Sequence, residues 1–157
     1  MTVVSDTSPL NYLAITQCED LLKTLFRKIA VPAAVMSELH SENAPAAVRE
    51  WLGGNPDWIE VHQVQVPENY LSGLGHGERE AIYLATKIGA DALLMDETKG
   101  RIAAQRLNLH VMGTLGILDA AALRHLVDLP SVLGKLKETT FRATPDLLES
   151  LLKKHAQ

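Results

Sequence analysis

The segment ALLMDETKGR at residues 92–101 is the most informative part of this sequence. Its apolar run Ala92–Met95 predicts a buried strand that ends at Asp96, and the basic segment after it predicts a helix. The segment TVVSDTSPL at residues 2–10 repeats this order, with a short β-branched strand that ends at Asp6. A strand, an acid and a helix, twice in this order, favour a parallel sheet with helical crossovers.

The rest of the chain continues this alternation of short strands and longer helices. Further strands are predicted at 29–31, 58–64 and 110–112, and helices at 8–14, 19–27, 32–41, 45–52, 77–88, 97–107, 115–126, 131–139 and 144–155. This pattern predicts an α/β fold, a three-layer α/β/α arrangement with a mostly parallel central sheet. We expect one domain over residues 1–157, with the last helices (about 130–157) as a C-terminal extension. In such sheets the active site lies at the carboxyl ends of the strands.

The composition excludes several classes of protein. The chain has 157 residues, a hydrophobic fraction of 46% and a single cysteine, Cys18. It can therefore bury a core without disulfides, and it cannot form a cysteine-based zinc site. No apolar run approaches the roughly 20 residues of a membrane-spanning helix, and we find no secretory signal. We expect a cytoplasmic protein that does not associate with membranes.

Charge is distributed unevenly along the chain. Residues 1–97 carry 6 Lys/Arg and 14 Asp/Glu, a net charge of −8, whereas residues 98–157 carry 9 and 5, a net charge of +4. The acidic part is a candidate for metal binding and the basic part for phosphate binding. Ordinary variation of surface charge is the alternative interpretation.

Four acids are placed to converge on one edge of the predicted sheet. Asp6 and Asp96 each follow a strand, Glu38 follows the second strand on the apolar side of its helix, and Glu78 lies in the first turn of a helix. Capping of the helices is the alternative role for such acids. Four carboxylates in one crevice repel one another, and Mg²⁺ or Mn²⁺, which prefer oxygen ligands, would relieve this repulsion.

Helical periodicity separates Glu78 from its neighbour Glu80. On the helix 77–88, Glu78 shares a face with the apolar residues Ala81 and Ala85. Glu80 is predicted to point roughly 200° away from Glu78, beside Lys87 and Tyr83.

In their order along the chain, these segments resemble a PIN domain. The matching segments are SDTSPL (5–10), VPAAVMSELH (31–40), GEREAIYLA (77–85) and ALLMDETKGR (92–101). The segment HVMGTLGILDAA (110–121) resembles a PIN-like branch with a GTLG-type sequence after its last strand. The resemblance covers roughly residues 1–125, and the ordered series is more specific than any one motif.

The resemblance implies a fold, an activity and partners. PIN domains are Mg²⁺- or Mn²⁺-dependent ribonucleases, and many are VapC-type toxins held inactive by an antitoxin. It assigns metal binding and catalysis to the four acids above, a supporting role to the Ser8 hydroxyl, and a further acidic role to Glu97. It implies hydrolysis of RNA phosphodiesters, on single strands or loops, by a homodimeric toxin with a cognate antitoxin. Many PIN domains have Asp where this chain has Glu78.

Basic and hydroxyl side chains near these acids are candidates for RNA binding. Lys99, Arg101 and Arg106 follow Asp96 on one helix and are predicted to hold the RNA backbone, with Lys99 also able to neutralise the acids. A basic outer helix face is the alternative. Thr114 is either a phosphate contact or the N-cap of the next helix.

Two other kinds of function compete with a nuclease. A haloacid-dehalogenase-type phosphohydrolase requires a second Asp two residues after the first, where this chain has Ser8. A receiver domain requires adjacent acids, which Asp96 and Glu97 offer, and a phosphorylatable Asp at the end of another strand; it is a minor alternative. The non-enzymatic alternative is a module that keeps the fold and binds nucleic acid or protein without cleaving RNA.

Overall fold

The computed structural model describes residues 1–156, within which five strands form one sheet. The strands are β1 (Val3–Ser5), β2 (Ile29–Pro32), β3 (Ile59–His62), β4 (Ala92–Leu94) and β5 (Val111–Met112). Their spatial order is β3-β2-β1-β4-β5, and every neighbouring pair is parallel. The predicted parallel α/β sheet is therefore confirmed, with β3 on an edge as its alternating pattern indicated.

Helices connect the strands and also follow the last of them. They are α1 (Thr7–Ile15), α2 (Asp20–Phe26), α3 (Ala33–Leu39), α4 (Ala46–Gly53), α5 (His76–Ile88), α6 (Thr98–Arg106), α7 (Thr114–Leu123), α8 (Leu129–Lys137) and α9 (Pro145–Lys154). Gly89 ends α5 in the left-handed conformation (φ 62°), which glycine adopts without a steric penalty. Thr144 caps α9 by accepting a hydrogen bond from the Leu147 N–H, with Pro145 in the first helical position.

The sheet separates two hydrophobic clusters because successive strand residues point to opposite faces. Val3 and Leu94 belong to the larger cluster, which also includes the buried residues of α1, α2, α7 and α8. Val4 and Leu93 belong to the smaller cluster, with the buried side of α5 and Ala104 of α6. Helices thus cover both faces, as the three-layer prediction requires.

The carboxyl ends of β1 and β4 meet at the centre of the sheet. Ser5 pairs with Leu94, and the Asp6 N–H donates to the Leu94 carbonyl at 2.9 Å. This register brings the residues that follow both strands, Asp6 and Asp96, to the same edge.

The C-terminal helices pack on the larger cluster. Leu133, Leu136 and Leu148 are buried in it, whereas Leu147 is 52% exposed. The turn between α7 and α8 differs from the prediction: α7 ends at Leu123, because His125 takes a left-handed conformation (φ 56°) that a helix cannot continue through. In the described part of the chain, no helix is both long and apolar enough to cross a bilayer.

Candidate active site

Asp6 lies at the centre of the site, between β1 and α1. It occupies the N-cap position of α1 without a side-chain capping bond, and only 5% of its surface is exposed. Burial raises its pKa from 3.8 to about 7, an effect partly offset by a hydrogen bond with the Thr7 backbone. The negative charges of the three other predicted acids raise this pKa further: Glu78, Glu38 and Asp96. The fold thus brings the three other acids within electrostatic reach of Asp6.

Glu38 approaches the site from the last turn of α3. Its Oε2 accepts a hydrogen bond from the Thr7 hydroxyl at 2.7 Å. Its Oε1 lies against Gly77 of α5, where an added Cβ would be only 2.6 Å away. At the start of α1, the hydroxyl that contacts one of the acids is therefore that of Thr7, which was not predicted from the sequence. Ser8, the predicted supporting hydroxyl, lines a groove beside Asp96 instead.

Glu78 uses its two carboxylate oxygens differently. Oε1 accepts a hydrogen bond from the Gly75 N–H at 3.2 Å, as a helix-capping glutamate does. Oε2 is buried and has no hydrogen-bond partner in the described residues. Burial raises the pKa of Glu78, the Gly75 hydrogen bond lowers it, and the nearby charges of Glu97 and Glu38 raise it. The capping role and a role in the site are therefore compatible.

Asp96 is held by the first residue of α7. The Thr114 N–H donates to Oδ1 and the Thr114 hydroxyl to Oδ2, both at 2.7 Å. Burial raises the pKa of Asp96, while the two Thr114 hydrogen bonds and the charge of Arg101 lower it. The N-cap of α7 is Gly113, so the alternative role of Thr114 as an N-cap is wrong. The support that Thr114 gives to Asp96 could hardly be predicted from the sequence, because the two residues are 18 positions apart.

Arg101 is the predicted basic residue that lies beside the acids. Its Nη1 donates to the Met95 carbonyl at 3.0 Å, which fixes the guanidinium next to Asp96. Lys99 and Arg106 are exposed and form no ion pair within residues 1–156. Neutralisation of the acids by Lys99 is therefore not seen. Glu97 is also exposed, and its negative charge contributes to the raised pKa of Glu78.

Glu80, two residues after Glu78 on α5, bonds to a neighbouring helix. Its Oε1 accepts a hydrogen bond from the Ala34 N–H at 3.0 Å, at the start of α3. This contact is possible because α3 packs against α5. Glu80 therefore joins two helices and satisfies a free N–H group.

The residues present suit a divalent cation by their chemistry. The donors are carboxylate oxygens, and burial raises the pKa values of three of the four carboxyl groups, so a bound cation would stabilise their ionised forms. Glycines keep the space around it open: an added Cβ would lie 2.9 Å from Glu78 Oε2 at Gly100, and 2.9 Å from Asp96 Oδ1 at Gly113.

The four carboxylates lie near one another but do not converge on a single point in this structure. Within residues 1–156, no group of three or more His, Cys, Asp or Glu side chains is arranged to hold a metal ion. Three of the acids already accept hydrogen bonds: Glu38 from Thr7, Asp96 from Thr114, and Glu78 from Gly75 at the start of its own helix. Cation binding would therefore replace some of these hydrogen bonds.

Comparison with known proteins identifies the family. The sequence matches the PIN domain family over residues 2–157, nearly its entire length. The chain belongs to the PIN domain family. Among solved structures it resembles a PilT N-terminus domain protein from the hyperthermophilic archaeon Sulfolobus solfataricus. The TM-score is 0.52 and the identity 14%, covering 92% of this chain and 100% of that one, which is a likeness of fold. No curated protein matches the sequence.

Membership of the family confirms the resemblance seen in the sequence and extends it. PIN domains are in general nucleases that use divalent metal ions. The match includes α8 and α9, which lie beyond the roughly 125 residues of the original resemblance.

Thr114→Val tests the support of Asp96. Valine keeps the shape and the backbone N–H but removes the hydroxyl bond, so the pKa of Asp96 rises further. We expect nuclease activity to fall about tenfold, the usual scale for a partner behind a metal ligand, and the acidic limb of the pH–rate profile to move to higher pH. Thr24→Val is the control, because its hydroxyl bonds only to the Asp20 carbonyl. Equal profiles for the two variants would contradict this role.

Gly77→Ala tests whether Glu38 needs its present position. Alanine is favoured over glycine in a helix by about 1 kcal/mol, but its Cβ would displace Glu38 Oε1. We expect roughly tenfold weaker Mn²⁺ binding by calorimetry, on the scale of a disturbed ligand shell, with a Tm that does not fall. Gly134→Ala on α8 is the matched control, because no atom lies within 4 Å of its added Cβ. Unchanged Mn²⁺ affinity in Gly77→Ala would show that Glu38 is not a ligand.

Proposed function

We propose that this PIN domain is a metal-dependent endoribonuclease in which Asp6, Glu38, Glu78 and Asp96 bind Mg²⁺ or Mn²⁺. The observation that supports it best is the environment of Asp6, a buried carboxyl group whose pKa is raised to about 7 in part by the three other acids. A fold gains no stability from gathering carboxylates. A binding site for a cation explains why they are gathered at the carboxyl edge of the sheet.

The residues have separate tasks in this proposal. A bound divalent cation supplies charge neutralisation, polarisation of the phosphate and activation of water. Thr114 and Thr7 orient the carboxylates of Asp96 and Glu38 through the hydrogen bonds described above. Arg101 places a positive charge beside Asp96, where a phosphate oxygen would approach. In the net reaction, water adds to phosphorus, the P–O3′ bond breaks, and the 3′ oxygen leaves with a proton.

The direct test is cleavage of a labelled RNA by the purified protein in Mg²⁺, in Mn²⁺ and in EDTA. Glu78→Gln and Glu80→Gln make a matched pair on one helix. Glutamine at position 80 still accepts the Ala34 hydrogen bond, whereas glutamine at position 78 removes a carboxylate from the cluster. We expect metal-dependent cleavage that Glu78→Gln reduces by at least about a hundredfold and Glu80→Gln leaves within about twofold.

The contrary result is equally clear. Equal loss in both variants would indicate that the fold of α5, not the acid cluster, is being measured. RNA binding without cleavage in any metal, together with no Mn²⁺ binding by calorimetry, would favour the non-catalytic module.

We also propose, from the sequence resemblance, that the protein is the toxin of a toxin–antitoxin pair and forms a homodimer. Induced expression is then expected to arrest bacterial growth, and Asp6→Asn to abolish the arrest. Sedimentation analysis tests the dimer, and co-expression with the product of a neighbouring gene tests the antitoxin.

A further inference from the structure

The edge of the sheet at β3 is open. β3 is the outermost strand, and within residues 1–156 β2 is the one strand that pairs with it. Its residue Val61 is 52% exposed, and no other strand in these residues carries an exposed large apolar side chain. An open edge with an exposed apolar residue can pair with a strand of another chain. β3 is therefore a candidate interaction surface.

Val61 directs its backbone groups to this open edge. The Ile29 N–H of β2 donates to the Trp58 carbonyl at 2.9 Å, so Trp58 faces β2. Every second residue of a strand bonds to the same neighbour, and Glu60 and His62 therefore face β2 as well. Val61 lies between them, and its N–H and carbonyl point away from β2. Within residues 1–156 these two groups have no backbone partner and can bond to another strand.

The sequence around Val61 is complementary to itself in charge. Glu60 and His62 flank it on the opposite face of the sheet, with side chains that are 49% and 37% exposed. In an antiparallel pair of two β3 strands centred on Val61, Glu60 of each copy lies opposite His62 of the other. The two Val61 residues then lie opposite each other and exchange both of their outward backbone hydrogen bonds.

Charge selects this register over its neighbours. A shift of one residue would set outward groups against residues that face β2, which leaves them unbonded. A shift of two residues would place two Glu60 or two His62 side chains opposite each other, and like charges in that position are destabilising. Within one copy, His62 Nε2 is 4.0 Å from Glu60 Oε1, too far for a hydrogen bond, and Lys28 contacts the other oxygen, Oε2. Glu60 Oε1 is therefore available to a second copy.

The other face of the pairing would bury apolar surface that a single copy leaves exposed. Val61 lines a cavity of about 210 Å³ together with Met36 of α3, Leu52 of α4 and Ile59. In the paired arrangement, Val61 of the second copy lies on this same face of the joined sheet, opposite its counterpart. Both side chains lose contact with water, which favours association. One short strand from each copy makes a small interface, so we expect a weak, reversible dimer.

We infer that the β3 edge binds β3 of a second copy of this chain, antiparallel and centred on Val61. The inference rests on the proposed homodimer and assigns its surface and its register. The two sheets then form one continuous sheet. Because the strands of the two copies run in opposite directions, the two acid clusters lie at opposite ends of the joined sheet, and each copy keeps a complete cluster. Cleavage per subunit is therefore expected to be independent of dimerisation.

The test compares His62→Glu with the double variant Glu60→Lys/His62→Glu. The single variant places two acids opposite each other in both cross-strand pairs, and the double variant restores opposite charges in the same register. Val61→Pro removes the outward N–H, and a proline whose missing N–H faces away from the sheet leaves the ladder to β2 intact. His110→Glu is the matched control, because it makes the same change at an exposed position just before β5, on the other edge of the sheet.

Sedimentation equilibrium over a wide range of protein concentrations gives the dimer Kd, and circular dichroism and Tm check that each variant is folded. We expect His62→Glu to raise the Kd at least about tenfold, since two cross-strand pairs change from attractive to repulsive. Val61→Pro should raise it by a similar factor, because both central N–H donors are lost. The double variant should stay within about threefold of the wild type, and His110→Glu should match it. RNA cleavage in Mn²⁺ should have the same rate per subunit in all of them.

Several outcomes would overturn the inference. A wild-type dimer that none of these variants weakens would keep the proposed homodimer and place its interface elsewhere. A wild type that stays monomeric at every concentration would reject both the homodimer and this edge. Equal dissociation of the single and the double variant, with both folded, would reject the pairing of Glu60 with His62. A monomeric wild type whose Val61→Pro variant no longer binds the product of a neighbouring gene would assign the edge to that protein. A wild type that dimerises as expected but cleaves no RNA would support this inference and reject the nuclease proposal alone.

Discussion

Asp6→Asn is expected to abolish metal-dependent RNA cleavage, by at least about a thousandfold, while raising the Tm of the metal-free protein at pH 8. The loss of activity follows because Asp6 lies among the other three acids and is one of the proposed metal ligands. The gain in stability follows because asparagine removes an almost fully buried charge that is repelled by its neighbours. Cleavage rates and thermal denaturation in EDTA measure the two effects on the same preparations.

Asp57→Asn is the control for this variant, because it makes the same chemical change at an exposed position before β3. It should leave both the cleavage rate and the Tm within error. If Asp6→Asn loses both its activity and its stability, Asp6 supports the fold instead. If Asp6→Asn keeps its activity, Asp6 is not a catalytic residue.

The stability of the metal-free protein is expected to decrease as the pH rises from 5 to 8, and Asp6 should account for much of the decrease. Its pKa is 3.8 without the fold and about 7 within it. The folded state therefore holds this proton more tightly, so its stabilising effect is complete below pH 3.8 and is lost as the pH rises through 7. At about 1.4 kcal/mol per pKa unit, the full effect is about 4 kcal/mol, of which roughly 2–3 kcal/mol falls between pH 5 and pH 8.

Urea unfolding of wild type and Asp6→Asn at pH 5, 6, 7 and 8 in EDTA measures this effect as the difference between the two free energies of unfolding. The free energy of unfolding of Asp6→Asn should increase relative to that of the wild type as the pH rises. Mn²⁺ at pH 8 should restore the wild type and not the variant, since a cation replaces the proton as the neutralising charge. Parallel pH profiles for the two proteins would contradict the buried acid cluster.

The strands and most helix ends could be predicted from the sequence because local signals specify them. Val3, Val4, Leu93 and Leu94 form short apolar runs, and in a sheet covered on both faces every such residue finds a buried position. Gly89 and Pro145 mark a helix end and a helix start through backbone preferences that do not depend on neighbours. The end of α7 was predicted three residues too late, because the sequence 115–126 remains helix-compatible and gives no sign of the left-handed conformation of His125.

The roles of individual polar side chains were less predictable. Helical periodicity directed Glu80 away from Glu78, but it did not reveal the bond to Ala34, 46 residues earlier. Thr7 was passed over in favour of Ser8, although both hydroxyls follow the same acid. Periodicity gives the direction of a side chain from its own helix. It does not give the position of the neighbouring helix that receives it.

The sequence by itself determined the order of strands, acids and helices, and with it the family and the four acids at the carboxyl edge of the sheet. Only the tertiary structure decided how those acids are held. It placed the Thr7 hydroxyl on Glu38, the Gly75 N–H on Glu78, and the Thr114 hydroxyl and N–H on Asp96. The physical reason is that the propensities of strands and helices act over a few residues. Hydrogen bonds, burial and the resulting pKa of Asp6 depend on segments that meet only in the folded chain.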